Sequence, residues 1–196
     1  DFYFAEVARF QSDKEAPIQT ARAGGQADFV MPCSSAMTRA FGAWMGSPTS
    51  ALAVTGRLFL SLFPFPHEHD WITRADDVIV FGAGVLGASK AYVPSVQVAY
   101  RVHGHNSFHG RRYSEAEKLR RQHRVDVLLG WYCQQCCLSP AVDVKRLLVE
   151  YVMVPQVLHH RLQVPPSRRF LTFTQRLALS WRMRRRARRL DRDQRQ

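Results

Sequence analysis

The chain has 196 residues, of which 46% are hydrophobic and 22% charged. That excludes wholesale disorder and leaves room for one domain or one and a half. The formal net charge is +12, yet residues 161–196 hold twelve Arg and two Asp, so +10 of it belongs to the tail and the basicity says little about the chemistry of the body. Nothing at Asp1-Phe2-Tyr3 reads as a signal peptide or an initiator sequence, so the chain is expected to be a piece of something longer. No apolar run reaches the roughly 18 residues of a membrane span.

In chain order, Tyr3, Val7 and Phe10 recur at helical spacing, and Pro17 lies beyond them; the pattern predicts a helix over 1–16. Residues 18–32 read as loop with one short strand. Gly46-Ser47-Pro48-Thr49-Ser50 is a turn or loop, and the apolar run 51–63 predicts a strand running into a helix. Pro64-Phe65-Pro66 is extended, because proline biases its predecessor away from the helix. Residues 71–86 predict one helix with Asp76 and Asp77 in its early turns and Ile72, Ile79, Ala83 and Leu86 on one face. Asp76 then points to a cleft at the helix edge. Residues 95–102 alternate as a half-buried strand that delivers His103 at its exit. Ser114-Glu115-Ala116-Glu117 is a capping box opening a helix. A further helix is expected over 141–154, where Pro155 stops it. The tail carries Phe170, Phe173, Leu177 and Trp181 as an apolar stripe amid arginine.

Several stretches could carry chemistry. Gly82-Ala83-Gly84-Val85-Leu86-Gly87 matches the G-x-G-x-x-G dinucleotide pattern, with 77–81 as its strand. That reading, an NAD(P)- or FAD-binding oxidoreductase, lacks room for a crossover helix. It also lacks the ribose-binding acid, since no Asp or Glu occurs between Asp77 and Glu115. His67-Glu68-His69-Asp70, with His103, His105 and His109, resembles a zinc-hydrolase cluster, but Trp71 stands where a further His belongs. Cys133-Gln134-Gln135-Cys136-Cys137 contains C-x-x-C inside a predicted helix, which favours core thiols over a redox motif.

The ordered set Pro48-Thr49-Ser50-Ala51, Phe63-Pro64-Phe65-Pro66, Arg74-Ala75-Asp76, Leu86-Gly87 and Tyr100-Arg101-Val102-His103-Gly104-His105-Asn106 resembles the acceptor-side half of a family 2 glycosyltransferase with the GT-A fold. The resemblance covers roughly residues 1–110. It implies an α/β fold class: a partial GT-A fold without its N-terminal nucleotide-binding strands over 1–110, a mostly helical extension over 111–164 and a basic amphipathic tail over 165–196. The function implied is inverting, metal-dependent transfer of a sugar from a nucleoside-diphosphate sugar to an acceptor hydroxyl. Asp76 aligns with the family's catalytic base. His103, with Asp1, would ligate a divalent metal, Mg²⁺ or Mn²⁺ rather than zinc. Thr49, Ser50, Arg74, Asp77 and Arg101 would contact substrate. The family's usual Gly is Ala51 here, which makes close backbone approach to a sugar harder.

A carboxylate at a helix edge suits proton abstraction when burial or a like-charged neighbour raises its pKa, and Asp77 is such a neighbour. The partners implied are a nucleotide-sugar donor and a glycan or lipid-linked acceptor. The tail's apolar stripe favours an anionic membrane surface over nucleic acid. The location expected is the cytoplasm, at the inner membrane face. A non-catalytic membrane-surface module is the bland alternative. The isolated 196 residues are expected to be inactive for want of half the donor site.

Overall fold

The computed structural model describes residues 1–10, 29–72, 74–102, 113–139, 142–154 and Trp181. It is a mixed α/β structure. Strand β1 spans Phe2–Phe10, β2 Phe29–Met31, β3 Leu52–Val54 and β4 Lys90–Arg101, and the sheet order is β2-β4-β1-β3. β1 runs parallel to β4 and antiparallel to β3, while β2 runs antiparallel to β4. Helices α1 (Ser35–Phe41), α2 (Gly56–Leu62), α3 (Ala75–Val85), α4 (Glu115–Gln135) and α5 (Val144–Met153) pack with the sheet into one apolar core. None of the described helices is long and apolar enough to cross a membrane.

The first element is a strand, not the expected helix. Phe2 and Phe4 are buried and Tyr3 is exposed, which is the period-two pattern of a sheet. Register shifts flanking Glu6 then break that alternation, so Tyr3, Val7 and Phe10 mimic helical spacing. Pairing on both sides overrides the local pattern. The same irregularity explains why β4 begins at Lys90 rather than at the expected residue 95. Its partner β1 skips Pro94 and Ser95, and a bulge is where a sheet tolerates proline. The turn at 46–50 and the strand-to-helix step into β3 and α2 appear as expected; the Thr55 side chain accepts from Leu58 N to cap α2.

The single helix expected over 71–86 is broken. Glu68–Trp71 forms a 3₁₀ turn and α3 starts only at Ala75. Arg124 donates to the Asp70 carbonyl at 3.0 Å, and Arg74 N bonds Trp71 O in the tighter 3₁₀ manner. Ile72 therefore leaves the helix and is 78% exposed instead of joining Ile79.

Residues 77–81 are helical, so the strand that a dinucleotide loop requires is absent there. The glycines serve packing. A Cβ on Gly82 would stand 2.5 Å from the Leu62 side chain and 2.8 Å from the Tyr132 ring, where α3 meets α2 and α4. Gly87 turns the chain out of α3 with φ +74.

The C-terminal helices share this core. α4 opens with the expected capping box: Ser114 Oγ accepts from Glu117 N at 3.3 Å, and Glu117 accepts from Ser114 N at 2.8 Å. Its Val125, Leu128, Leu129 and Tyr132 are buried at helical spacing. From α5, buried Glu150 accepts from Met37 N at 2.9 Å and so satisfies an orphan amide at the start of α1. Cys133 is buried at the end of α4, and Cys136 caps that helix. Burial, and then Cys137, push the Cys136 thiol up, against a redox role.

Lys90 is buried completely, at the start of β4. Its Nζ donates to Val80 O at 3.0 Å and Met45 O at 3.1 Å and stands 4.8 Å from the Phe2 ring centre. Burial lowers its pKa to about 7.

Candidate functional site

β1 and β4 lead their C-terminal halves to one side of the sheet, where an open cleft of about 1540 Å³ is found. The C-terminal ends of parallel strands are where side chains from several elements converge on ligands. Glu6 and Arg9 from β1 and Tyr100 from β4 form its floor, and the irregular register at Glu6 re-aims that side chain. Trp44, Ser47 and Thr49 line one wall. The Ser47 hydroxyl donates to Ala5 O at 2.5 Å and pins this loop to β1. Asp70, Trp71, Arg74 and Asp76 line the second wall, and the third is α4, through Glu117, Arg120, Arg121 and Arg124 among others. Those four α4 positions follow the i, i+3, i+4, i+7 rule, so one helix face meets the cleft.

Asp76 is half-buried at the start of α3. Its pKa is raised by desolvation first and by the Asp77 charge second, while Arg74 opposes the rise. Asp77, one position on, is different. Its side chain is 0% exposed. Arg74 Nε donates to Oδ2 at 2.6 Å, and Arg121 Nη2 donates to the same oxygen at 3.1 Å and to Oδ1 at 3.2 Å. Asp77 was expected from sequence to contact substrate; its carboxylate is instead buried and holds two arginines that line the cleft.

The other anticipated residues divide. Thr49, Arg74 and Asp76 meet in the cleft. Ser50 and Arg101 are exposed beside Thr49 and Tyr100 but do not line it. His103, His105 and His109 lie outside the described residues, as does most of the Arg-rich tail.

Asp1 is not among the residues that line the cleft. Phe2 stands opposite Lys90 and Phe10 opposite Arg101, so Asp1 is at the far end of the strand pair from Val102. About 13 Å of extended chain separates Asp1 from Ala5, the first β1 residue at the cleft. Among the described residues no group of three His, Cys, Asp or Glu could hold a metal ion, and His67, Glu68, His69 and Asp70 are all exposed.

Glu6, Arg9, Trp44, Arg120 and Arg121 were not anticipated, and Tyr100 only as part of the strand motif. For the α4 arginines the signal was present: after the capping box, Arg120, Arg121 and Arg124 stand at one-face spacing. Glu6 and Arg9 were hidden by reading β1 as a helix.

A smaller apolar hollow of about 280 Å³ is lined by Phe63, Phe65, Trp71, Ile72 and Val78, with Glu68 and His69 also in its wall. It holds none of the residues expected to act in glycosyl transfer. No family model matches the chain, and no curated protein or solved structure matches it.

Proposed function

We propose that the cleft is the acceptor side of an inverting GT-A-type glycosyl transfer site, with Asp76 as the general base. The observation that supports this best is the meeting of Thr49, Arg74, Asp76 and Tyr100, four members of the ordered motif set, in the walls of one open cleft. Asp76 also has the right electrostatics, a carboxylate whose proton affinity is raised by partial burial and a like-charged neighbour.

In this reading the acceptor hydroxyl lies against Asp76. The carboxylate takes its proton as the acceptor oxygen bonds to the anomeric carbon. The bond from that carbon to the nucleoside diphosphate breaks on the opposite face, the diphosphate leaves with the electron pair, and the configuration inverts. Arg74, anchored on Asp77, keeps Asp76 ionised enough to accept the proton. Trp44 and Tyr100 offer aromatic surface to a sugar ring, and Thr49 offers a hydroxyl.

The test is a panel of nucleoside-diphosphate sugars, with and without Mn²⁺, given to the protein made from the longest reading frame that encodes it. Acceptor-dependent release of nucleoside diphosphate from at least one donor is expected. A folded protein that turns over no donor in the panel sinks the proposal.

A further inference from the structure

We infer that the cleft reads an oxyanion, a phosphate or carboxylate group, on the Arg120–Arg121 corner of α4; that this group belongs to the acceptor rests on the function proposed above. The first observation is the surplus of arginine on Asp77. Arg74 and Arg121 both bind this one carboxylate, and the neighbouring Asp76 charge acts on Arg74, so Arg121 has no carboxylate to itself. A buried carboxylate with two partners is a poor way to stabilise a fold, since desolvation cancels much of the attraction. It is a good way to hold a guanidinium still.

Arg121 is held with an end to spare. Its Nε and Nη2 donate to Asp77, no described residue accepts from its Nη1, and its side chain remains 42% exposed. A planar guanidinium fixed along one edge presents its remaining N–H groups in a set direction, which is how arginine recognises phosphate and carboxylate oxygens.

Charge balance around it points the same way. Arg124 is taken by Asp70, and Lys118 by Glu115. Arg120 and Arg9 line the cleft with no ion pair to any described residue. Of the cleft carboxylates, Glu6 already accepts from the Tyr92 hydroxyl at 2.7 Å, Glu117 is held in the capping box, and the Asp76 charge acts on Arg74 rather than on Arg120 or Arg9. The cations left over, Arg9 on β1 and Arg120 and Arg121 on α4, line the same cleft as Trp44 and Thr49. A ring bearing an anionic group fits that arrangement better than a neutral sugar.

Calorimetric titration of the 196-residue chain with glucose 6-phosphate, glucuronate and glucose tests this at about 50 mM and about 500 mM salt. At least one anionic sugar is expected to bind about tenfold more tightly than glucose at low salt, and to lose that advantage at high salt. The tighter of the two identifies the source as phosphate or carboxylate. Arg121→Gln and Arg120→Gln should each weaken the anion about 3- to 10-fold without affecting glucose. Arg120 is exposed and unpaired among the described residues, so its variant keeps the fold even if Arg121→Gln does not. Asp76→Asn should bind the anion at least as tightly as wild type, because it removes a like charge. Glucose binding as well as both anions, absence of anion binding, or full affinity in folded Arg120→Gln and Arg121→Gln would overturn the inference. Binding does not depend on turnover, so loss of the base assignment for Asp76 would leave this result standing.

Discussion

Asp76 and Asp77 are neighbours in a helix's first turn, where an acid is ordinarily stabilised by the helix dipole. Only Asp77 is tied down by partners. Removing its charge takes a buried partner from both Arg74 and Arg121, so Asp77→Asn should cost about 2–3 kcal/mol, at or below the low end for broken buried pairs because both arginines are partly exposed. Asp76 has the reverse sign. Its folded pKa lies above the ordinary value, so ionising it as pH rises weakens the fold. Asp76→Asn should leave the denaturation midpoint at pH 7 unchanged or higher; a clear fall would make Asp76 a structural acid. Arg74 lowers the Asp76 pKa, so Arg74→Gln should move the acid limb of any turnover profile to higher pH. A limb that stays in place would detach Arg74 from the base. The adjacency of two acids was legible in sequence, as was the raised proton affinity of Asp76. That Asp77 turns inward was not, because its second partner lies 44 residues away on α4.

At the scale of elements, local signals were readable where the physics is local. The capping box at Ser114 and the strand-to-helix step within 51–63 are set by neighbouring residues, and each forms as expected. β1 was misread because its hydrogen bonds go to β3 and β4, and because shifts around Glu6 disguise its alternation. The glycine run in α3 was ambiguous for a similar reason. The G-x-G-x-x-G spacing fits a phosphate loop and a close helix crossing equally well, and only the partners decide. Since a methyl at residue 82 would collide with Leu62 and the Tyr132 ring, Gly82→Ala should destabilise the fold by about 1–3 kcal/mol, despite alanine's better helix propensity. Chemical denaturation checks this, and a stabilised variant would show that the α2–α3–α4 junction is loose.

For the whole molecule, Lys90 connects the layers. It joins the start of β4 to α3 through Val80, to the loop at Met45 and to the ring of Phe2 on β1. Its folded pKa of about 7 is below the unfolded lysine value, so between them the unfolded chain binds more protons. Stability should therefore climb as pH rises from about 7 to about 10, and that climb should flatten in Lys90→Met. Equal slopes in the two proteins would mean that Lys90 reaches water in solution. The same architecture sets the cleft, since β1 and β4 end beside the turn of Thr49, the start of α3 and the basic face of α4. The measurement that bears most directly on its purpose is turnover of a nucleoside-diphosphate sugar by the longest encoded protein, compared between wild type and Asp76→Asn at matched fold stability. The account predicts a loss of about 10²- to 10⁴-fold on removing the base; turnover within a few-fold of wild type would contradict it.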